Sequence, residues 1–334
     1  MKKKTAITML ALGMIIFLGA QPQMPHLEAL DGPYNAQNMI DMALCRYSPV
    51  EPPVIYGVNE DTCFVKTTNR GDSWIILPKG HIYKSGIRCV AVHPTDPDIV
   101  YKAEWGSIYQ KGIMRSTDGG YFWTLINNGL PDYVIPSKLG IFPHSGYYNY
   151  LLLGMAIDQQ SHGGYPLYRS TNGGSDWLPV IQWGSDFLNI TDFSFDPTVP
   201  EIVCLSAKQS SDPGNAYRGV WMSTDFGETW SHIGRPDNMS YPEVTCVAMV
   251  DEDIIYAGYW NKKKNEGGIQ MATNGGLKWQ VLPMTLDNDL IDIYINSNES
   301  NNFYLVINSD KGIEILKYDI SIFLKRDKKI IIKK

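Results

Sequence analysis

Apolar residues in this chain come in short runs, about four to eight long, bounded by Gly, Pro, Asn and Asp rather than spaced at a helical period. The runs predict strands and no helix. Their order repeats. Cys89-Val90-Ala91-Val92 turns through His93-Pro94-Thr95-Asp96-Pro97 into Ile99-Val100-Tyr101. Phe193-Ser194-Phe195 turns through Asp196-Pro197-Thr198 into Ile202-Val203-Cys204, and Val247-Ala248-Met249 leads into Ile254-Ile255-Tyr256. Two more strands complete each unit, and the units fall at residues 48–79, 86–127, 136–182, 188–234, 243–284 and 289–321. The first is short at its front.

Five of the units carry the same eight-residue pattern: Thr67–Trp74, Ser116–Trp123, Ser170–Trp177, Ser223–Trp230 and Ala272–Trp279. Each begins with a small residue and Thr, then places Asp or Asn third, Gly fifth and Trp eighth. The Asx positions are Asn69, Asp118, Asn172, Asp225 and Asn274, the glycines Gly71, Gly120, Gly174, Gly227 and Gly276. The closing tryptophans are Trp74, Trp123, Trp177, Trp230 and Trp279. An Asx side chain and a preceding hydroxyl can bond backbone N–H groups of a tight turn, and Gly supplies a positive φ. The Trp is expected to fold back over the turn, with its N–H in need of an acceptor. A repeat of this length suits the blade of a propeller.

The pattern resembles the Asp-box (BNR) repeat of sialidases, Vps10/sortilin ectodomains, xyloglucanases and photosystem II assembly factors. The resemblance covers most of the chain and implies an all-β fold. That fold is a single β-propeller of four-stranded blades, six of them, or seven if residues 27–45 and the tail add another. It also implies that the boxes are structural turns between the two outer strands of a blade, so that ligands bind the opposite face. Fold of itself names no function.

The chain ends refine this picture. Residues 1–20 combine Met1-Lys2-Lys3-Lys4 with an apolar run from Ala6 to Ala20, which reads as a secretory signal segment. Residues 21–47 read as a lead-in, 48–321 as the propeller and 322–334 as a basic tail. The expected location is secreted, periplasmic or cell-surface. The formal charge is −6; removing the signal takes away three lysines and no acid, giving −9. That balance excludes nucleic acid as a partner. Membrane contact is expected only through an uncleaved signal or the tail, and the protein is expected to be a monomer. Of five cysteines, Cys89 and Cys246 occupy matching strand positions and Cys204 lies in another strand. Cys45 and Cys63 are the pair to consider for a disulfide. The chain has no metal-ligand spacing and no cofactor motif.

Candidate chemistry then belongs to the loops opposite the boxes. Trp105, Trp183 and Trp260 fall there, with Tyr109, Arg235 and Tyr241, and they form the candidate ligand-binding set for a glycan or a protein. Glycoside hydrolysis needs two carboxylates flanking a sugar. Asp132, Asp186, Asp237 and Glu243 are the candidates, with Asp158 and Asp192 also in range. A sialidase needs an arginine cluster, which the sequence does not display. Xyloglucanase-like enzymes resemble a pair of propellers, and this chain has length for one. The reading preferred from sequence is a non-catalytic exported propeller that binds or scaffolds a protein or glycan. A glycoside hydrolase, xyloglucanase-like or sialidase-like, is the alternative.

Overall fold

The computed structural model describes residues 39–45, 49–50, 54–59, 64–69, 73–77, 86–109, 111–156, 165–180, 188–209, 218–234, 243–261, 265–282, 289–295, 302–309 and 312–319. The signal segment, the tail, Gly71, Cys63, Asp158, Trp183, Asp186, Arg235, Asp237 and Tyr241 lie outside those residues. Every regular element among the described residues is a strand, as the run lengths predict.

The first sheet is β1 (Met39–Leu44), β2 (Ile55–Asn59), β3 (Phe64–Thr67) and β4 (Ile75–Leu77), in that order. Next come β5 (Ile87–Val92), β6 (Val100–Glu104), β7 (Gly106–Ser107), β8 (Gly112–Ser116) and β9 (Thr124–Leu125). Four of these form the second sheet, β5-β6-β8-β9, while β7 pairs with β10 (Tyr133–Val134) in a separate ribbon. The third sheet is β11 (Pro136–Ile141), β12 (Leu151–Met155), β13 (Leu167–Ser170) and β14 (Leu178–Pro179). The fourth is β15 (Leu188–Phe195), β16 (Val203–Gln209), β17 (Gly219–Ser223) and β18 (Ser231–Gly234). The fifth is β19 (Glu243–Met249), β20 (Ile255–Asn261), β21 (Glu266–Thr273) and β22 (Lys278–Val281). A sixth, of three strands, holds β23 (Asp289–Ile295), β24 (Asn302–Ser309) and β25 (Gly312–Asp319). All pairings within these sheets are antiparallel.

The sequence units match these sheets, with one extension. The first sheet gains β1 from the stretch read as a lead-in. Its run, Met39-Ile40-Asp41-Met42-Ala43-Leu44, has a carboxylate in the middle, so local hydrophobicity does not announce it. Asp41 is accommodated by distant partners: its Oδ2 accepts the Val90 N–H at 3.0 Å and its Oδ1 lies 3.6 Å from Lys138 Nζ.

The leading strands pack in series, β1 on β5, β5 on β11, β11 on β15, β15 on β19 and β19 on β23. Each has a register shift near its start, at Met39/Asp41, Ile87/Cys89, Pro136/Lys138, Ile190/Asp192, Val244/Cys246 and Leu290/Asp292. The position just past this bulge braces the molecule. Asp192 Oδ2 accepts the Val247 N–H at 3.2 Å, as Asp41 does for Val90 one residue past Cys89. Lys138 Nζ is 3.3 Å from Asp192 Oδ1 as well as facing Asp41. Asp192 is thus a strand residue tied to its neighbours, and no longer a candidate for the loop face. Cys89 and Cys246 are fully buried at matching positions. Cys45 is a buried thiol whose Sγ–H donates to the His93 carbonyl at 3.2 Å.

The apolar cores lie between sheets. One joins Cys89, Tyr101 and Ile113 of the second to Leu139, Leu151 and Leu153 of the third. Another joins Phe142, Leu152 and Leu167 of the third to Val203, Leu205 and Trp221 of the fourth. With further cores between the first and second sheets and between the fourth and fifth, both faces of the second, third and fourth sheets are covered, which removes their apolar strands from water.

Candidate functional site

The repeated turns fix which face is which. All five lie between the third and fourth strands of their sheets. Ser116 shows the local chemistry: its Oγ donates to Asp118 Oδ1 at 2.7 Å and accepts the Gly120 N–H at 2.8 Å. Asp118 Oδ1 also accepts the N–H groups of Tyr121 and Phe122. Those donors, Phe122 first, then the Ser116 hydroxyl, hold the Asp118 carboxyl below its ordinary range. Ser170 and Asn172, and Ser223 and Asp225, repeat the arrangement.

The tryptophans reach further than the turn. Trp177 Nε1–H donates to the Ile126 carbonyl of the preceding sheet's outer segment at 2.7 Å, and Trp279 Nε1–H to Ile233 at 2.9 Å. Gly174 has φ +86°, a backbone conformation that favours glycine, and lies where a Cβ would come 2.4 Å from Ile126 Cδ1. Trp230 departs, donating to Gly227 of its own turn. Trp123 finds no acceptor among the described residues; Lys102 Nζ lies 4.7 Å above its ring.

Connections between second and third strands leave from the other end of each sheet. In the second sheet this connection contains β7, which pairs Gly106 with Val134 and Ser107 with Tyr133. The ribbon brings three predicted residues into one place. Trp105, 38% exposed, leaves β6 with its ring across Gly86, where a Cβ would come 2.4 Å from Nε1. Lys111 Nζ lies 5.5 Å over that ring. Tyr109, 75% exposed, donates from its hydroxyl to Asp132 Oδ1 at 3.4 Å. The Ile108 N–H donates to the Asp132 carbonyl at 3.1 Å. Asn127, which was not singled out in the sequence, holds this turn: its Nδ2 donates to Ile108 and Lys111 carbonyls at 2.8 Å, and its Oδ1 accepts the Ile113 N–H at 2.7 Å.

A second pair lies on the fifth sheet. Half-buried Trp260 stands in register opposite Glu243 on one side and Gly267 on the other. Its ring occupies the space a Gly267 Cβ would take, 2.9 Å from Cε3. Glu243 is half-buried at the start of β19. Asp132 is thus held at the β7–β10 ribbon, and Glu243 lies beside Trp260 on the fifth sheet.

One feature near the loop face escaped sequence reasoning. Lys102 and Glu104 are fully buried on β6, with Lys102 Nζ 2.9 Å from Glu104 Oε1. Burial pushes the Lys102 pKa down, and Glu104 partly offsets this. Aligned through the first residue of each turn, other sheets place Leu153 and Met155, or Leu205 and Ala207, at these two positions. The signal was present as charges two apart in Val100-Tyr101-Lys102-Ala103-Glu104, which put both on one strand face.

No family model matches the sequence. A xyloglucanase of Paenibacillus sp is 23% identical over 269 residues, covering 68% of this chain and 25% of that enzyme. Xyloglucanase Xgh74A of Acetivibrio thermocellus is 28% identical over 182 residues, 46% of this chain and 20% of that enzyme. The chain thus spans a quarter or less of these relatives. Among solved structures, the Niastella koreensis GH74 enzyme has a TM-score of 0.62 at 16% identity, covering 85% of this chain and 45% of that one. YCF48 bound to D1 peptide has a TM-score of 0.52 at 12% identity, covering 85% and 80%. At these identities the structural likeness shows the fold: the chain is a β-propeller.

Proposed function

We propose that this chain is a glycoside-hydrolase-like propeller that engages a polysaccharide through the loop face, with xyloglucan the first ligand to test. The sequence similarity to two xyloglucanases carries this reading. It favours the alternative over the non-catalytic propeller, binding or scaffolding a protein or glycan, that is preferred from sequence alone. The protein-binding reading has a peptide-bound propeller of 12% identity behind it, a likeness of fold. Exposed Trp105 and Tyr109 supply the flat apolar surfaces on which sugar rings stack, and Asp132 supplies an acceptor for hydroxyls. A neutral polysaccharide also suits an acidic protein better than an anionic one does. The repeated turns are read as Asp boxes, supported by their position between the outer strands, and the location as exported, supported by residues 1–20.

Hydrolysis adds the requirement of two facing carboxylates. Asp132 and Glu243 are the described candidates; Asp186 and Asp237 complete the set. One experiment addresses binding and chemistry together: native gels cast with xyloglucan, and reducing-sugar release measured in parallel. Xyloglucan is expected to retard the full chain, and Trp105→Ala to weaken binding about fivefold or more. Sugar release abolished by Asp132→Asn or Glu243→Gln would make the chain a hydrolase. Retardation without release would leave it a binding propeller. If xyloglucan and other polysaccharides all fail to retard it, the proposal falls.

A further inference from the structure

The copies of the repeated turn act as controls for one another. In three of them the residue before the Trp closes the turn with its side chain. Asn69 Nδ2 donates to Ser73 Oγ at 2.8 Å, Asn172 Nδ2 to Asp176 Oδ2 at 2.7 Å, and Thr229 Oγ1 to Asp225 Oδ2. In the second copy that place is taken by Phe122, 81% exposed, beside Tyr121, 48% exposed. The turn gains nothing from two large rings in water. Their placement also leaves Asp118 Oδ2 with no donor among the described residues, since the bonds to Asp118 go to Oδ1.

A second carboxylate borders the same tip. Asp98 Oδ1 lies 3.0 Å from where a Gly119 Cβ would be, and its side chain is 62% exposed. Among the described residues, Lys66 is the cation there. It already faces Asp98 at 3.8 Å and lies 5.3 Å over the Tyr56 ring, with its side chain 13% exposed. Among the described residues, the tip therefore presents two open rings and two carboxylates with one cation already engaged. A planar cation satisfies both features, by stacking on an aromatic face and donating to a carboxylate. The net charge of −6 adds long-range attraction for such a partner.

We propose that the Tyr121–Phe122 tip docks a basic segment of a partner protein, with an arginine laid over the two rings and its guanidinium facing Asp118. This surface lies on the side of the repeated turns, away from the proposed polysaccharide face. It stands whether or not that proposal does.

The test is calorimetric titration of the full chain with tetra-arginine, tetra-lysine and tetra-glutamate peptides. Both diagnostic substitutions are taken from other copies of the turn. Phe122→Ser installs the residue found at Ser73, and Asp118→Asn the one found at Asn69, so melting temperatures should hold. Tetra-arginine is expected to bind, to weaken about fivefold or more in each variant, and to weaken with added salt. Tetra-glutamate is expected not to bind. Failure of tetra-arginine to bind, or equal binding by the wild type and both variants, overturns the proposal. So would xyloglucan oligosaccharide binding lost in Phe122→Ser, which would assign the tip to carbohydrate.

Discussion

Single residues here do work that their chemistry alone does not announce. Asp118 and Asp225 occupy the place that Asn69, Asn172 and Asn274 hold in other copies, and Asp118, Asp225, Asn69 and Asn172 each accept the N–H of the residue before the Trp. For Asp225, burial raises the pKa, but the Thr229 hydroxyl and N–H, the Ser223 hydroxyl and the Glu228 N–H outweigh it and leave the carboxyl lowered. Asp118 is lowered too, chiefly by the Phe122 N–H. A folded pKa below the unfolded one contributes stability above the unfolded value, about 3.9, and loses it as pH falls through the folded value. The Asn copies carry no such dependence. Thermal melts from neutral pH into acid should therefore show the wild type losing melting temperature more steeply below about pH 4 than an Asp118→Asn/Asp225→Asn double variant. Parallel curves for the two would disprove this account.

At the scale of elements, short outer strands and tight connections place the candidate site. The fourth strands β9 and β14 have two residues each, which limits the exposed edge that each sheet offers to other chains. What stiffens the loop face is the β7–β10 ribbon, and Asn127 is its main tie, with three bonds to the 108–113 segment. Replacing it by Ala leaves those backbone groups without partners, at a cost of about 1–3 kcal/mol. Because the loss is confined to the turn carrying Tyr109, ligand affinity should fall more than global stability. Melting temperature and xyloglucan affinity, measured on Asn127→Ala, check this. A drop in stability with unchanged affinity would separate the ribbon from the site.

Across the whole molecule, the leading strands are joined through charges carried from one sheet to another. Lys138 on the third sheet faces Asp41 on the first and Asp192 on the fourth. The two carboxylates also accept N–H groups of the second and fifth sheets. Five sheets are thereby linked through three side chains. Lys138→Met would leave the carboxylates, 13% and 8% exposed, without this cation. Breaking a buried pair costs about 3–5 kcal/mol; with the lysine 26% exposed, a loss of about 2 kcal/mol is expected. Denaturant unfolding monitored by tryptophan fluorescence measures it, and a variant as stable as wild type would show that the linkage is incidental.

The sequence by itself determined the strand class, the unit boundaries of most sheets and the place of the repeated turns. Those features rest on interactions within about eight residues, such as Ser116 to Gly120, and on a period that repetition makes visible. It also located Trp105, Tyr109 and Asp132 in loops, since loop residues are marked by the strands around them. Only the tertiary structure decided the rest. β1 was hidden because Asp41 looks wrong for a strand until Val90, 49 residues away, and Lys138 are in place. Asp192 read as a loop carboxylate for the same reason. Trp177 folds over its own turn, its Cζ2 3.5 Å from where a Gly174 Cβ would be, as the pattern predicts, but the acceptor of its N–H is Ile126, 51 residues earlier. Partners at such separations leave no trace in local pattern, because only packing one blade against the next brings them within bonding distance.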